Sequence, residues 1–176
     1  MKRKILVLAV VAAISNIAYA EATHCTNNEI VLFSCALKKH KTISICASKD
    51  LSPNSGYMQY RFGKIGKIEI TMPKSSKGLP DFTLQASKDT HAEYNNLVIS
   101  KGSFNYSITS FRQLTAKNKD GYPTPPSSDS LSVEDTRKSM RDGNIVFSDD
   151  CASLGSAVDS VTISRLTGKN VEKAGF

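Results

Sequence analysis

Between Glu29 and Ser48 the alternate positions Val31, Phe33 and Cys35, and then Ile43 and Ile45, are apolar on either side of a polar break at Lys38-Lys39-His40. A period of two on both sides of a short polar break describes an antiparallel strand pair with one face buried. With the tripeptide as the loop, Phe33 falls opposite Ile45, Cys35 opposite Ile43 and Ser34 opposite Ser44. That register gathers Val31, Phe33, Cys35, Ile43 and Ile45 on one face, because a strand sends successive side chains to opposite sides. It also sends Cys35 and Cys46 to opposite faces, so a bond between these two is disfavoured and each is expected to reach Cys25 or Cys151. Four cysteines allow three pairings, and the sequence leaves all three open.

The cysteines carry weight because of what precedes them. Lys2, Arg3 and Lys4 form a positive n-region, Ile5 to Ile14 an apolar run, and Ala18-Tyr19-Ala20 a small-residue cleavage site. This is the pattern of a secretory signal peptide over residues 1–20, with an apolar run too short for a comfortable membrane span. The expected mature chain, 21–176, is one domain without a stable membrane anchor, periplasmic or secreted. In an oxidising compartment an even set of cysteines reads as two disulfides. Their spacing matches no zinc finger or ribbon. The full chain holds 23 Lys and Arg against 16 Asp and Glu. Removing the leader's three basic residues leaves 20 against 16, a mild +4 scattered along the chain, which argues against nucleic acid as a partner.

A second hairpin follows Ser52-Pro53-Asn54-Ser55-Gly56, a turn-rich connection. Pairing Phe62 with Ile68, Tyr60 with Ile70 and Met58 with Met72 places the large apolar residues on one face. The same register sets Arg61 opposite Glu69 as a surface ion pair that pins the strands. Phe33-Ser34-Cys35, Ser44-Ile45-Cys46-Ala47-Ser48, Gly56-Tyr57-Met58-Gln59-Tyr60-Arg61-Phe62-Gly63 and Lys67-Ile68-Glu69-Ile70 together resemble a family of small, uncharacterised exported bacterial proteins. The resemblance covers about 45 residues, continues weakly into Leu97 to Ile108 and fades after Thr115. It implies a signal peptide and a secreted or periplasmic location, and it carries no activity, catalytic residue or cofactor with it.

Further along, a short strand is expected around Phe82 to Leu84. A third hairpin turns at Lys101-Gly102, with Ile99 opposite Phe104 and Leu97 opposite Tyr106. Thr115 to Ser130 contains three prolines and no aliphatic residue larger than alanine, the composition of an exposed, mobile loop. Ser132 to Met140 has the capping-box-like spacing of Ser132 and Asp135 and is expected as one short helix. Asn144 to Phe147 and Val161 to Leu166 read as the last strands, and 167–176 as a frayed tail. About eight short strands without βαβ alternation predict a mainly β fold, an antiparallel β-sandwich or partly closed β-barrel with at most one short helix and two disulfides.

Catalytic motifs are missing from this sequence. Its three histidines, His24, His40 and His91, lie in polar surroundings and are expected at the surface. No Gly-x-Ser-x-Gly or His-Glu-x-x-His occurs, and Asp149 and Asp150, adjacent on a strand, point to opposite faces. Histidine would be fourth after cleavage, one place beyond the position an amino-terminal copper site needs. The expectation is therefore a non-enzymatic binding protein of the cell envelope that uses no cofactor or metal. The favoured form is an inhibitor or immunity protein that blocks a partner enzyme with its proline-rich loop. Lys117, Lys119, Tyr122 and Pro125 are the candidate contacts. A small-molecule or glycan-binding protein with a pocket at one end of the barrel is the alternative, and an unrecognised hydrolase comes third.

Overall fold

The structure, a computed structural model, describes residues 22–118 and 120–174. The expected signal peptide and its cleavage site lie outside the described residues. Two sheets face each other. The first holds β1 (Glu29–Ala36), β2 (Thr42–Ser48), β3 (Met58–Lys64) and β4 (Lys67–Met72) in sequence order. In the second, β5 (Asp81–Lys88), β6 (Ala92–Lys101), β7 (Phe104–Gln113), β8 (Ser128–Asp135) and β9 (Ile145–Asp150) follow one another. A last strand, β10 (Val171–Lys173), pairs in parallel with β5, while every other pairing within the two sheets is antiparallel. Phe33, Ile43, Ile45 and Met58 from one sheet and Phe82, Leu84, Leu97 and Ile108 from the other are fully or almost fully buried in a single core. The molecule is thus the expected mainly β sandwich, and it is not a closed barrel.

One side of the sandwich is stitched. Leu37 bridges to Cys151, the Lys38 amide donates to the Asp150 carbonyl at 2.9 Å, and the Ala152 amide to the Ala36 carbonyl at 2.7 Å. The Cys35–Cys151 disulfide closes the same corner, and the second bond joins Cys25 to Cys46. Cys35 and Cys46 do lie on opposite faces of the first hairpin, each tied to a distant partner.

In that hairpin Phe33 faces Ile45, Ser34 faces Ser44 and Cys35 faces Ile43, as the alternation requires. Val31 does not join them: a bulge between Val31 and Phe33 places it opposite Cys46 and leaves it 44% exposed. The second hairpin departs further. Tyr60 pairs with Met72, Arg61 with Thr71 and Phe62 with Ile70, with a bulge at Phe62/Gly63. Gly63 has φ +152°, and a Cβ there would stand 2.4 Å from the Lys67 carbonyl oxygen, so only glycine fits. The expected Arg61–Glu69 register pair is therefore not formed. The third hairpin turns at Gly102-Ser103, one residue later than expected, so Ile99 faces Tyr106 and Leu97 faces Ile108.

The last third corrects three other expectations. Ser132 lies within strand β8, where Leu131 and Val133 point into the core, instead of starting a helix. Val161 to Leu166 lies within the helix α1 (Ser160–Thr167), capped by Asp159, whose side chain accepts from the Thr162 amide, and ended by Gly168. Ser160, Ile163 and Thr167 are its buried residues, a helical spacing of three and four. The tail is not free beyond 167, since β10 completes the edge of the second sheet.

The outer face of the first sheet is covered as well. Strand β2 is buried along its whole length, and so is β3 from Met58 to Gly63. Residues 22–28 lie across this face: the His24 amide donates to Ser44 Oγ at 2.9 Å, and Ser34 Oγ donates to the Ala22 carbonyl at 2.9 Å. His24 is itself buried, contrary to expectation, with its Nε2 3.2 Å from the carbonyls of both Thr42 and Gly63. Beneath this cover Arg61 forms a two-pronged pair with Glu29, Nη1 to Oε2 at 2.8 Å and Nη2 to Oε1 at 2.5 Å. Gln59 Oε1 and the His24 carbonyl accept the remaining Arg61 donors, and the Tyr57 hydroxyl donates to Glu29 Oε1 at 2.7 Å. Burial works against the ionised Glu29 carboxylate, but these donors and the Thr26 amide outweigh it and bring its pKa down to about 2.

Candidate functional site

The proline-rich loop is built on a fixed base. Arg112, at the end of β7, grips Asp129 with both guanidinium nitrogens at 2.8 and 2.9 Å, and Asp129 is buried. Beyond it the loop folds back as a small arm. Lys117 bridges to Pro123, the Thr124 amide donates to the Ala116 carbonyl, and Asn118 Oδ1 accepts from the amides of Asp120 and Tyr122. Of the candidate contacts, Lys117, Tyr122 and Pro125 are exposed, Tyr122 at 69%, and Lys119 lies outside the described residues. They are close along the arm, with Pro125 lining a shallow depression beside His91 and Phe111. Glu69, the other named residue, sits at the edge strand β4 and accepts from Lys41 Nζ at 2.6 Å, which holds its carboxylate below the usual pKa range.

Among the described residues the three histidines stand in separate places. His24 is bound to backbone carbonyls, His40 occupies the β1–β2 turn, and His91 Nδ1 meets Thr115 Oγ1 at 3.0 Å. Asp149 accepts from the Lys39 amide while Asp150 faces Lys38 on the other side of the strand. Among the described residues no group of three histidine, cysteine or acidic side chains is arranged to hold a metal ion.

A concave site that the sequence reading did not name lies between the sheets. The segment after β9 closes one end of the sandwich: the Val158 amide donates to Ser110 Oγ at 2.8 Å and the Gly155 amide to Asp129 at 3.0 Å. Toward the opposite ends of β7 and β8 the sheets part and leave a cleft of about 290 Å³. Tyr60, Phe62 and Ile70 form its floor from the first sheet, and Phe104, Tyr106, Leu131 and Val133 its roof from the second. Val146 and Phe147 of β9 stand at the side. Two aromatic pairs frame it. Tyr60 and Tyr106 have ring centroids 5.6 Å apart, and Phe62 and Phe147 meet edge to face at 5.9 Å.

Cations rim this apolar space. Lys41 lies over the Phe62 ring at 5.0 Å, Lys39 over Phe147 at 5.1 Å and Arg137 over Phe104 at 5.6 Å, each close enough for a cation–π attraction. Along β4 the cleft continues into a shallower flank that shares Ile70, Phe104 and Tyr106 and adds Lys74, Lys101, Thr71 and Glu69, the last bound to Lys41. The inward placement of Tyr60, Phe62 and Phe147 is implied by their alternation. That the sheets part there depends on the pairing of β7 with β8 and on the end chosen by the segment after Cys151. Comparison with known protein families, with curated proteins and with solved structures gave no match.

Proposed function

We propose that this chain is a periplasmic or secreted binding protein without chemistry of its own, and that its ligand is held in the cleft between the sheets. The two disulfides fit an oxidising location, and the leader-like residues 1–20 together with the resemblance to exported bacterial proteins support export. The observation that carries the binding reading is the cleft itself. It is concave, walled by five aromatic rings on a disulfide-tied sandwich, and at about 290 Å³ it lies at the small end of the range for ligand sites. The small-molecule reading gains from this, because sites of this kind combine apolar walls with a few polar groups at the rim.

1-Aminonaphthalene, a small neutral fluorophore, tests the reading directly. Its emission should shift to the blue on titration with the mature protein, and Val146→Trp, which fills the mouth from an exposed position, should abolish the shift. An unchanged response in that variant would place the dye elsewhere and end the reading. The proline-rich arm supports a second reading, a partner protein bound through Tyr122, which is 69% exposed on a hydrogen-bonded base. A partner captured equally well from envelope extract when Lys117 to Ser128 is shortened to a Gly-Ser link would end that one.

A further inference from the structure

Tyr60 lines the cleft and is 1% exposed, and its hydroxyl has no hydrogen-bond partner among the described residues. The oxygen is not among the fully enclosed unpartnered polar atoms, so it meets the open space of the cleft. Burial, and the neighbouring Tyr106, push the Tyr60 pKa up, so the group stays a protonated donor throughout the ordinary pH range. Tyr106, whose ring is 5.6 Å away, belongs both to the cleft and to the flank where Lys74 and Lys101 stand. Neither of these two lysines has an acidic partner within salt-bridge distance among the described residues, in contrast to Lys41, which is bound to Glu69. The Tyr106 side of the cleft thus leads to two lysines without an acidic partner, while on the Phe62 and Phe147 side the cations over the rings are already bound, Lys41 to Glu69 and Lys39 to the Ser148 carbonyl.

Resting on the cleft as the ligand site, we propose that its ligand is a small anionic amphiphile, with a carboxylate-like head at the Tyr60–Tyr106 end and an apolar tail against Phe62, Val133 and Phe147. The size agrees. A space of about 290 Å³ holds about ten groups at roughly 30 Å³ each, the share of a water molecule, which is a head with a short tail and not a long-chain lipid. A phenol O–H donated to a carboxylate is a charge-assisted bond, stronger than the same bond to a neutral oxygen, so an anionic head is favoured over an alcohol. The lysines on the flank add attraction that salt weakens.

Three probes of equal tail length separate the possibilities: octanoate, octanol and octyltrimethylammonium, followed by calorimetry and by tyrosine emission, the chain having no tryptophan. Octanoate should bind about tenfold or more tightly than octanol, the ratio that about 1.4 kcal/mol provides. Tyr60→Phe should weaken octanoate several-fold and leave octanol unchanged, and the double variant Lys74→Ala/Lys101→Ala should weaken octanoate with a reduced dependence on salt. Octanol binding as well as octanoate, or the ammonium binding best, would overturn the anionic assignment while leaving the cleft as a binding site. Absence of binding by all three, with the 1-aminonaphthalene response also insensitive to Val146→Trp, would overturn the cleft itself.

Discussion

Strands β2 and β3 of the first sheet and strand β5 of the second treat their polar residues in opposite ways. In the first sheet the residues that alternate with the core, Ser34, Ser44, Gln59 and Arg61, are buried under residues 22–28 and the segment after β4. Gln59 Nε2 donates to the carbonyls of Pro73 and Ser75. On the second sheet the corresponding residues of β5, Asp81 and Thr83, remain exposed. Alternation therefore identifies two faces and does not say whether the polar one meets water. A covered polar face must satisfy every donor internally, which is why Arg61 is surrounded by Glu29, Gln59 and the His24 carbonyl.

The comparison can be broken most sharply at the disulfides. Cys35–Cys151 spans 116 residues and joins the sheets, whereas Cys25–Cys46 spans 21 and fixes only the cover. Chain-entropy reasoning gives about 5 kcal/mol for the first and about 3 for the second. Replacing each pair by alanine and measuring urea unfolding should show that order, and equal losses would mean that the cover matters as much as the joint. Next, Arg61→Ala should cost about 3–5 kcal/mol, because it leaves Glu29, whose side chain is 3% exposed, charged and unpaired under the cover. A loss below 1 kcal/mol would show that water reaches this face.

Acid offers a gentler probe of the same contrast. Glu29 has its pKa lowered to about 2 in the folded protein, so its contribution is complete above its ordinary value near 4.5 and is lost as the pH falls toward 2. The stability gap between the native chain and Glu29→Gln should therefore shrink between pH 4.5 and 2, and a gap constant over that range would contradict the burial of an ionised pair. The smallest effect is expected at Lys41–Glu69, a partly exposed pair on the edge strand. Lys41→Ala should change stability by less than about 1 kcal/mol, read from the same urea midpoints.

How far these features were legible in the sequence depends on bulges and covers. The first hairpin could be read through Phe33, Ser34 and Cys35 because alternate positions are apolar on both arms, and Val31 was lost where one extra residue enters the strand. The second hairpin shifted because Gly63 forms a bulge, which alternation cannot reveal, although a glycine inside a strand pattern is its usual mark. Leu131 and Val133 alternate with serines, and that signal lost to the capping-box spacing of Ser132 and Asp135. Val161, Thr162 and Ile163 are β-branched and suit a strand, while Asp159 and Gly168 cap a helix that tertiary packing selects. The cleft belongs to no single segment. Its lining comes from five strands, so its residues could be read as inward-facing but not as the walls of one space.

The bond between Cys35 and Cys151 also sets an order of events in time. The β1–β2 hairpin is local and can form as soon as its own residues are free to pair, and Cys25 can find Cys46 within the same short stretch. Cys35 has to wait as a thiol until 116 further residues have arrived and β9 has been laid beside β8. Its position on the core-facing side of the hairpin, away from Cys46, shields it from that nearer partner during the interval. A chain halted before Cys151 would carry one disulfide and one reactive thiol, and the last third of the sequence thereby certifies the first.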